Sequence, residues 1–418
     1  MDALPDLLRR AGRYIWIVLK WLLIAVGTGA ICGLVGSAFH IAVKYATALR
    51  TEHAWLLYTL PVGGVLIALV YKLTKMEGKG TNDVIDSIHC GDRVPILLVP
   101  VIFIATVITH LCGGSAGREG AALQIGGGIG CQMGRLCRLD EKDMRLVTLC
   151  GMSAVFSALF GTPLTATIFA LEVVSVGIVH YSGLLPCLVA SLVAYGVSLL
   201  FHLAPTQFAV AAQSLEAGML LKVAGVAAVC AVVSILFCEL LHATEHLAAK
   251  ALHNTFLRAA AGGVLLIGLT LLLDTRDYNG AGGEVIAAAI EQGSAAPLAF
   301  LWKMLLTAVT IGCGFKGGEI VPTFFVGATL GCVVGPLLGV PAGFAAAVGL
   351  VAMFCGVVNC PIASILLSIE LFGGEGVIYF ALTCGIAYML SGYFGLYSSQ
   401  KIVYSKIRAE FIDRYTMQ

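Results

Sequence analysis

The chain reads as a succession of apolar stretches separated by short polar or glycine-rich breaks. The clearest are Trp21–Ile31, Val62–Tyr71, Ile96–Ile108, Leu184–Leu200, Val223–Phe237, Gly262–Leu273, Ala345–Val358 and Val377–Leu390. None reaches the roughly 20 apolar residues that let a helix cross a bilayer unaided. Each run is therefore expected to be extended by milder residues, paired with a neighbour, or broken at mid-membrane and covered by protein, because lipid satisfies no backbone group. The pattern predicts an all-α integral membrane protein built of short helices. Composition strengthens that reading. Of 418 residues, 59% are hydrophobic and 12% charged, against about a quarter charged in a soluble domain, and the mean hydropathy is +0.95.

Charge adds an orientation and removes some functions. Arg9, Arg10 and Arg13 precede a stretch too long for a signal peptide's apolar region, so the first span is expected to be retained, with a cytoplasmic basic flank. Lys401, Lys406, Arg408 and Arg414 place the other end on the same side. A net charge of +1 gives no footprint for nucleic acid. The cysteines (Cys32, Cys150, Cys230, Cys332 and Cys355 among them) lie inside apolar runs, as small hydrophobes do. No spacing of Cys or His points to a metal, and no cofactor is expected.

Two segments half a chain apart match. Gly151, Ala154, Phe156, Pro163 and Glu172 return at one constant offset as Gly349, Ala352, Phe354, Pro361 and Glu370. Just upstream, Gly113, Gly117, Gly126 and Gly130 return as Gly314, Gly318, Gly327 and Gly331. The same order in both halves argues for an internal duplication. The organisation expected is an N-terminal segment 1–13, a first membrane repeat 14–200, a linker 201–216, a second repeat 217–398 and a tail 399–418. Pro205, Thr206, Gln207 and Gln213 interrupt the apolar pattern in the linker. Duplicated membrane proteins commonly bind substrate where the repeats meet, on discontinuous helices.

The candidate chemistry sits at two glycine-rich breaks. Gly113-Gly114-Ser115-Ala116-Gly117-Arg118-Glu119-Gly120 runs straight into an apolar segment. A helix starting near Glu119 leaves free N–H groups and a positive dipole end facing the loop, and glycine lets an anion approach them closely. Glu119 is then an ionisable group inside the membrane, able to compete with an anion and to leave when protonated; pairing with Arg118 is the simpler alternative. The second break, Gly314-Phe315-Lys316-Gly317-Gly318-Glu319-Ile320-Val321-Pro322, repeats the design, with Pro322 suited to a first helical turn. Glu319 is the second gating candidate, or a carboxylate paired with Lys316. A third break, Gly78-Lys79-Gly80-Thr81-Asn82-Asp83, offers either ion contact or a helix cap at Asn82 or Asp83.

With these residues in view, the chain resembles the CLC family of chloride channels and halide/proton antiporters from about Ile17 to Arg408. Gly117-Arg118-Glu119-Gly120 resembles the family's G-K/R-E-G-P motif, with Ala121 in place of Pro. Gly318-Glu319-Ile320-Val321-Pro322 resembles G-x-F-x-P, with Ile320 in place of Phe. Gly78-Lys79-Gly80 falls where the family has G-S-G-I-P, and Lys401-Ile402-Val403-Tyr404-Ser405 resembles its closing K-P-L-Y-S. The resemblance implies two inverted repeats of short tilted helices in a homodimer, one pore per subunit, without the cytoplasmic regulatory domains of larger members. Glu119 would be the external gate. Gly117, Arg118, Gly120, Gly318 and the N–H groups of Ile320 and Val321 would line the anion path, with Lys79 at the position of the central serine and Tyr404 as the central hydroxyl. Val173 stands where chloride antiporters carry an internal proton-relay glutamate. That change and Gly317-Gly318-Glu319 are similar to the fluoride/proton branch, although Val321 replaces its usual Thr.

The resemblance therefore implies transport of chloride or fluoride, coupled to proton antiport through Glu119 and Glu319. The alternative is a passive chloride channel of the same fold, favoured by Val173. A membrane-embedded enzyme or scaffold is disfavoured, because no nucleophile–base pair or metal cluster accompanies the loops.

Overall fold

The computed structural model describes residues 3–91, 94–211 and 213–417. Sixteen α-helices occupy them. The first half holds α1 (Ala3–Glu52), α2 (Leu60–Leu73), α3 (Thr81–Cys90), α4 (Leu98–Cys112), α5 (Glu119–Leu136), α6 (Glu141–Phe160), α7 (Pro163–Glu172) and α8 (Leu184–Leu200). The second holds α9 (Ala217–Ala251), α10 (Thr255–Leu272), α11 (Gly283–Glu291), α12 (Ala299–Gly312), α13 (Ile320–Leu337), α14 (Ala342–Val358), α15 (Pro361–Phe372) and α16 (Val377–Leu390). The described residues between α8 and α9 form no helix or strand.

Seven helical segments are long and apolar enough to cross a membrane, and six apolar helices are shorter. The outward faces carry large apolar side chains such as Leu221, Leu272 and Leu337, each more than three-quarters exposed. Water does not tolerate so continuous an apolar exterior, whereas lipid does. The run Trp21–Ile31 lies inside the 50-residue α1, so the apolar runs understate the helices. Small residues hide the continuation: Gly29 and Gly33 lie against Ala190, Val193, Ala194 and Val197 of α8, where hydropathy is low but packing is close. α1 runs unbroken across residue 13.

The matched glycines of the two halves lie at similar helix crossings. α5 crosses α6 at Gly126 and Gly151, where a Cβ on either residue would collide with the other's carbonyl oxygen. α13 crosses α14 at Gly327 and Gly349 in the same way. A column of rings joins the halves: Phe156 to Phe169 at 5.0 Å, Phe169 to Phe354 at 5.7 Å, and Phe354 to Phe324 at 5.4 Å between centroids.

The matched glutamates tie one half to the other. Glu172, ending α7, accepts hydrogen bonds from the N–H groups of Ile362 (3.2 Å) and Ala363 (2.9 Å) in the first turn of α15. Glu370 on α15 does the same for Leu164 (2.9 Å) and Thr165 (2.8 Å) of α7. Each repeat's carboxylate thus satisfies the orphan donors and the positive end of its counterpart's helix.

The tail adds a small sheet that the all-α pattern did not foresee. Strand β1 (Ser175–Val176) pairs in parallel with β2 (Lys401–Tyr404), which pairs antiparallel with β3 (Phe411–Tyr415). Gln400 locks it to the helix ends, donating to the carbonyls of Val173 (2.9 Å) and Val358 (2.8 Å).

Because a Cβ at Gly349 has no space, Gly349→Ala is expected to cost about 1–3 kcal/mol through forced separation of the helices. Gly268→Ala, on α10 with nothing within 4 Å, should leave stability unchanged or slightly raised. Thermal unfolding of the two variants in detergent checks this; equal midpoints would contradict the packing argument.

Candidate functional site

The two glycine-rich breaks meet. Each follows a helix that ends in a glycine at positive φ, Gly113 (φ 97°) after α4 and Gly314 (φ 102°) after α12, a conformation natural only to glycine. The loops then cross as a short antiparallel pair. Gly117 N–H donates to the Gly318 carbonyl at 2.7 Å, and Gly318 N–H donates to the Gly117 carbonyl at 2.9 Å. From this crossing α5 and α13 both begin, so two helix N-termini open beside one point. A side chain at Gly318 would run into the backbone N–H groups of Glu119 and Gly120.

Glu119 is fully buried, and its carboxylate reaches across the crossing to the other repeat. Oε2 accepts from the N–H of Val321 at 3.2 Å, while Oε1 is buried with no hydrogen-bond partner among the described residues. The carboxylate oxygen here stands in for an anion: it occupies a helix N-terminus that would otherwise hold one. No ion pair within 4 Å joins it to Arg118 among the described residues; that guanidinium donates to the Leu159 carbonyl at 3.3 Å. Glu319 is the residue just before α13, and its Oε2 is also buried without a partner. A Cβ at Gly120 would lie 3.4 Å from that oxygen, so Glu319 borders the start of α5. No ion pair within 4 Å joins Glu319 to Lys316 among the described residues; the Lys316 ammonium lies over the Tyr71 ring at 4.8 Å. Glu119, Glu319, Gly117, Arg118, Gly120, Gly318, Ile320 and Val321 are all brought to this one crossing.

Tyr404 is not. It lies on β2, is 47% exposed, and stacks edge-on against Phe411. This half-exposed position on β2 departs from its expected place at a buried centre. Tyr397, by contrast, is 3% exposed, and its hydroxyl is buried without a partner among the described residues. The signal was present in the sequence, since Leu396-Tyr397-Ser398 keeps the L-Y-S of the closing motif more fully than Val403-Tyr404-Ser405 does.

Lys79 has a local partner: its ammonium pairs with Asp83 at 2.6 Å. Asp83 is the cap at this break, accepting from Gly80 N–H at 2.8 Å. α3 meets α5 through uncharged groups instead: Thr81 hydroxyl donates to the Gly120 carbonyl (3.3 Å) and accepts from the Gln124 amide (3.1 Å).

The sequence pattern gave no sign of Lys303, fully buried on α12. Its ammonium donates to the carbonyls of Tyr278 (3.0 Å) and Gly280 (2.6 Å) and lies over Phe325. These bonds, with Gly280 N–H donating to the Gly114 carbonyl at 2.9 Å, fix the 278–280 loop against the first glycine-rich break.

Two cavities are associated with the region. One, of about 80 Å³, is lined by Tyr71, Glu77, Gly78, Arg258, Gly314 and Lys316 among others. The second, of about 280 Å³, reaches Glu119, Arg118 and Val321 and is walled by His40, His110 and Phe324.

The chain is similar to known proteins along most of its length. A "chloride/fluoride channel protein" of Pseudomonas syringae pv. tomato is 35% identical over 398 residues, 93% of this chain and 88% of the relative. An "H(+)/Cl(-) exchange transporter" of Vibrio campbellii is 27% identical over 84% of this chain and 81% of its own length. The solved structure of a CLC-type fluoride/proton antiporter superposes with a TM-score of 0.89 at 30% identity, covering 92% of this chain and 98% of that one. The voltage gated chloride channel family model matches residues 63–392, and the chain belongs to that family.

Proposed function

We propose that this protein carries a small halide across the membrane in exchange for protons, with Glu119 as the gate. The observation that carries the reading is the Glu119 carboxylate on the Val321 N–H. An ionised Glu119 holds the anion's place; a protonated one loses its hold and frees the N-terminus of α13 for a halide. One group that alternates between proton and anion competition couples the two fluxes, and preorganised backbone donors hold the halide without a buried cation that would trap it. Tyr397 supplies the hydroxyl at the centre.

Fluoride fits the second carboxylate. A protonated Glu319 is a hydrogen-bond donor, and fluoride is the stronger acceptor among halides; relatives whose names include fluoride are consistent with this. The passive channel stays as a second reading because Val173, apolar and buried, stands where chloride antiporters carry a relay glutamate. Glu172 beside it is committed to capping α15. The apolar side chains exposed on α8 (Leu185, Leu192, Leu199) and α16 (Ile378, Met389, Leu390) suit the interface of a homodimer. Exposed Arg10 and Arg13 at the start of α1 suit a cytoplasmic N-terminus.

In reconstituted vesicles, halide moving down its gradient should drive protons uphill, and fluoride should outpace chloride. Glu119→Gln should cut proton movement by roughly a hundredfold, the scale of losing a positioned proton carrier. Halide flux unable to move protons would leave the channel reading, and unchanged proton flux in the variant would remove Glu119 from the mechanism.

Tyr397→Phe should weaken halide binding by roughly tenfold, as expected for loss of a hydrogen bond to a charged group. Tyr404→Phe should match the parent. Calorimetric titration with halide distinguishes them, and the opposite ranking would return the central hydroxyl to Tyr404.

A further inference from the structure

The smaller cavity sits between α2 and α10, two helices that glycine brings backbone to backbone. A Cβ at Gly64 would strike the Ala259 carbonyl, and one at Gly263 the backbone of Leu60 and Pro61. The pair is therefore antiparallel, and the last turn of α2 meets the first turn of α10, where the Lys72 ammonium lies over the Phe256 ring at 5.2 Å. The cavity is lined there by Ala68 and Tyr71 of α2, Thr255 and Arg258 of α10, and Lys316 of the second glycine-rich break. Glu77 and Gly78, which are exposed, also line it, so it opens at the surface.

Two of these residues are cations without a counter-ion. No ion pair within 4 Å joins Arg258 or Lys316 to an acid among the described residues. Both are half-buried, and Arg258 Nε is buried with no hydrogen-bond partner among the described residues. Glu245, Glu319 and Asp83 attract Lys316 from beyond ion-pair distance, and Glu77 is the one acid in the lining. Asn254 already caps α10, accepting from the N–H groups of Phe256 (2.9 Å) and Leu257 (3.4 Å). The side-chain cations, not the helix end, therefore give the cavity its charge. Holding a cation out of water without a partner is costly, and an anion in the cavity offsets that cost.

Size and surroundings select the anion. A volume of about 80 Å³ is far below the roughly 300–1,000 Å³ of a site that encloses a drug-sized ligand. It suits one phosphate-sized group whose remainder lies outside. Outside, the helices are apolar: Leu66, Leu69 and Leu73 of α2 and Leu257, Val264 and Leu265 of α10 are exposed, a surface for acyl chains. Lys72 and Lys75 are exposed at the end of α2, as basic residues are at the level of lipid headgroups. We propose that this cavity holds the phosphate of an acidic phospholipid. The Arg258 guanidinium grips the phosphate by its planar fork, with the Lys316 ammonium and the Thr255 hydroxyl as further donors. A zwitterionic headgroup would bring its own ammonium among these cations and is disfavoured. Because Lys316 belongs to the break that carries Glu319, the bound lipid ties that break to the α2–α10 pair.

The test uses the full-length protein, delipidated in mild detergent, with native mass spectrometry to count what it retains. The probes are phosphatidylglycerol, phosphatidylethanolamine and inorganic phosphate. Phosphatidylglycerol should be retained roughly tenfold more tightly than phosphatidylethanolamine, and it should raise the thermal midpoint as a ligand of the folded state does. Arg258→Gln should weaken retention roughly tenfold to a hundredfold, the scale of hydrogen bonds to a charged group, and Arg258→Lys by less. Ala68→Phe fills the cavity from α2 without removing a cation and should also displace the lipid, which keeps the test decisive if Arg258→Gln folds poorly. Lys142→Gln, an equal change of charge at an exposed position of α6, should retain lipid as the parent does. Equal retention of the two lipids overturns the proposal, as does unchanged retention in Arg258→Gln and Ala68→Phe. Inorganic phosphate that displaces the lipid at equal concentration makes a free anion the ligand and overturns the lipid assignment. Retention is counted without flux, so the two readings fail separately. A protein that moves no halide but holds the lipid loses the transport reading alone, and one that moves halide and protons without retaining lipid loses this site alone.

Discussion

Two backbone segments, one from each half, cross at Gly117 and Gly318 and satisfy each other's N–H and C=O groups. In a low-dielectric interior those groups must pair within the protein, and reciprocal bonds between repeat-related loops do so without any side chain. The cost is steric. A Cβ on Gly318 or Gly317 would strike the opposite loop, so the crossing demands glycine. From this crossing follow the placement of two helix N-termini beside one point and the reach of Glu119 to Val321. Both depend on how closely the loops approach.

The rest of the scaffold holds that crossing in register. Glycine contacts at α5–α6 and α13–α14 bring backbones together in both halves, and the ring column from Phe156 to Phe324 fills the space between them. Glu172 and Glu370 exchange caps between α7 and α15. Two carboxylates at equivalent positions of a repeat thus serve structure, while Glu119 and Glu319 keep oxygens without partners. The difference is geometric: both oxygens of Glu172 and of Glu370 accept backbone N–H groups, while Glu119 and Glu319 each leave one oxygen without a partner among the described residues.

Much of the site was legible in the residues. The repeat, both glycine-rich breaks and their carboxylates stood in the chain because glycine and a buried acid are unusual enough to mark where backbone or an ion must approach. Lys79 and Tyr404 were placed by motif position alone, and the structure gives each a local partner: Asp83 in the first turn of α3 for Lys79, and strand pairing for Tyr404. Lys303 and His110 carried no signal at all. A lone basic residue in an apolar helix looks the same whether it faces carbonyls, a cavity or lipid.

By itself the sequence determined the membrane environment, the duplication and the chemistry gathered at helix starts, because hydropathy and glycine spacing are local properties. Only the tertiary structure decided which oxygen lacks a partner, that Tyr397 is buried while Tyr404 is half exposed, and that two imidazoles share a cavity with Glu119. These depend on segments far apart in the chain, and no local pattern encodes which of them touch.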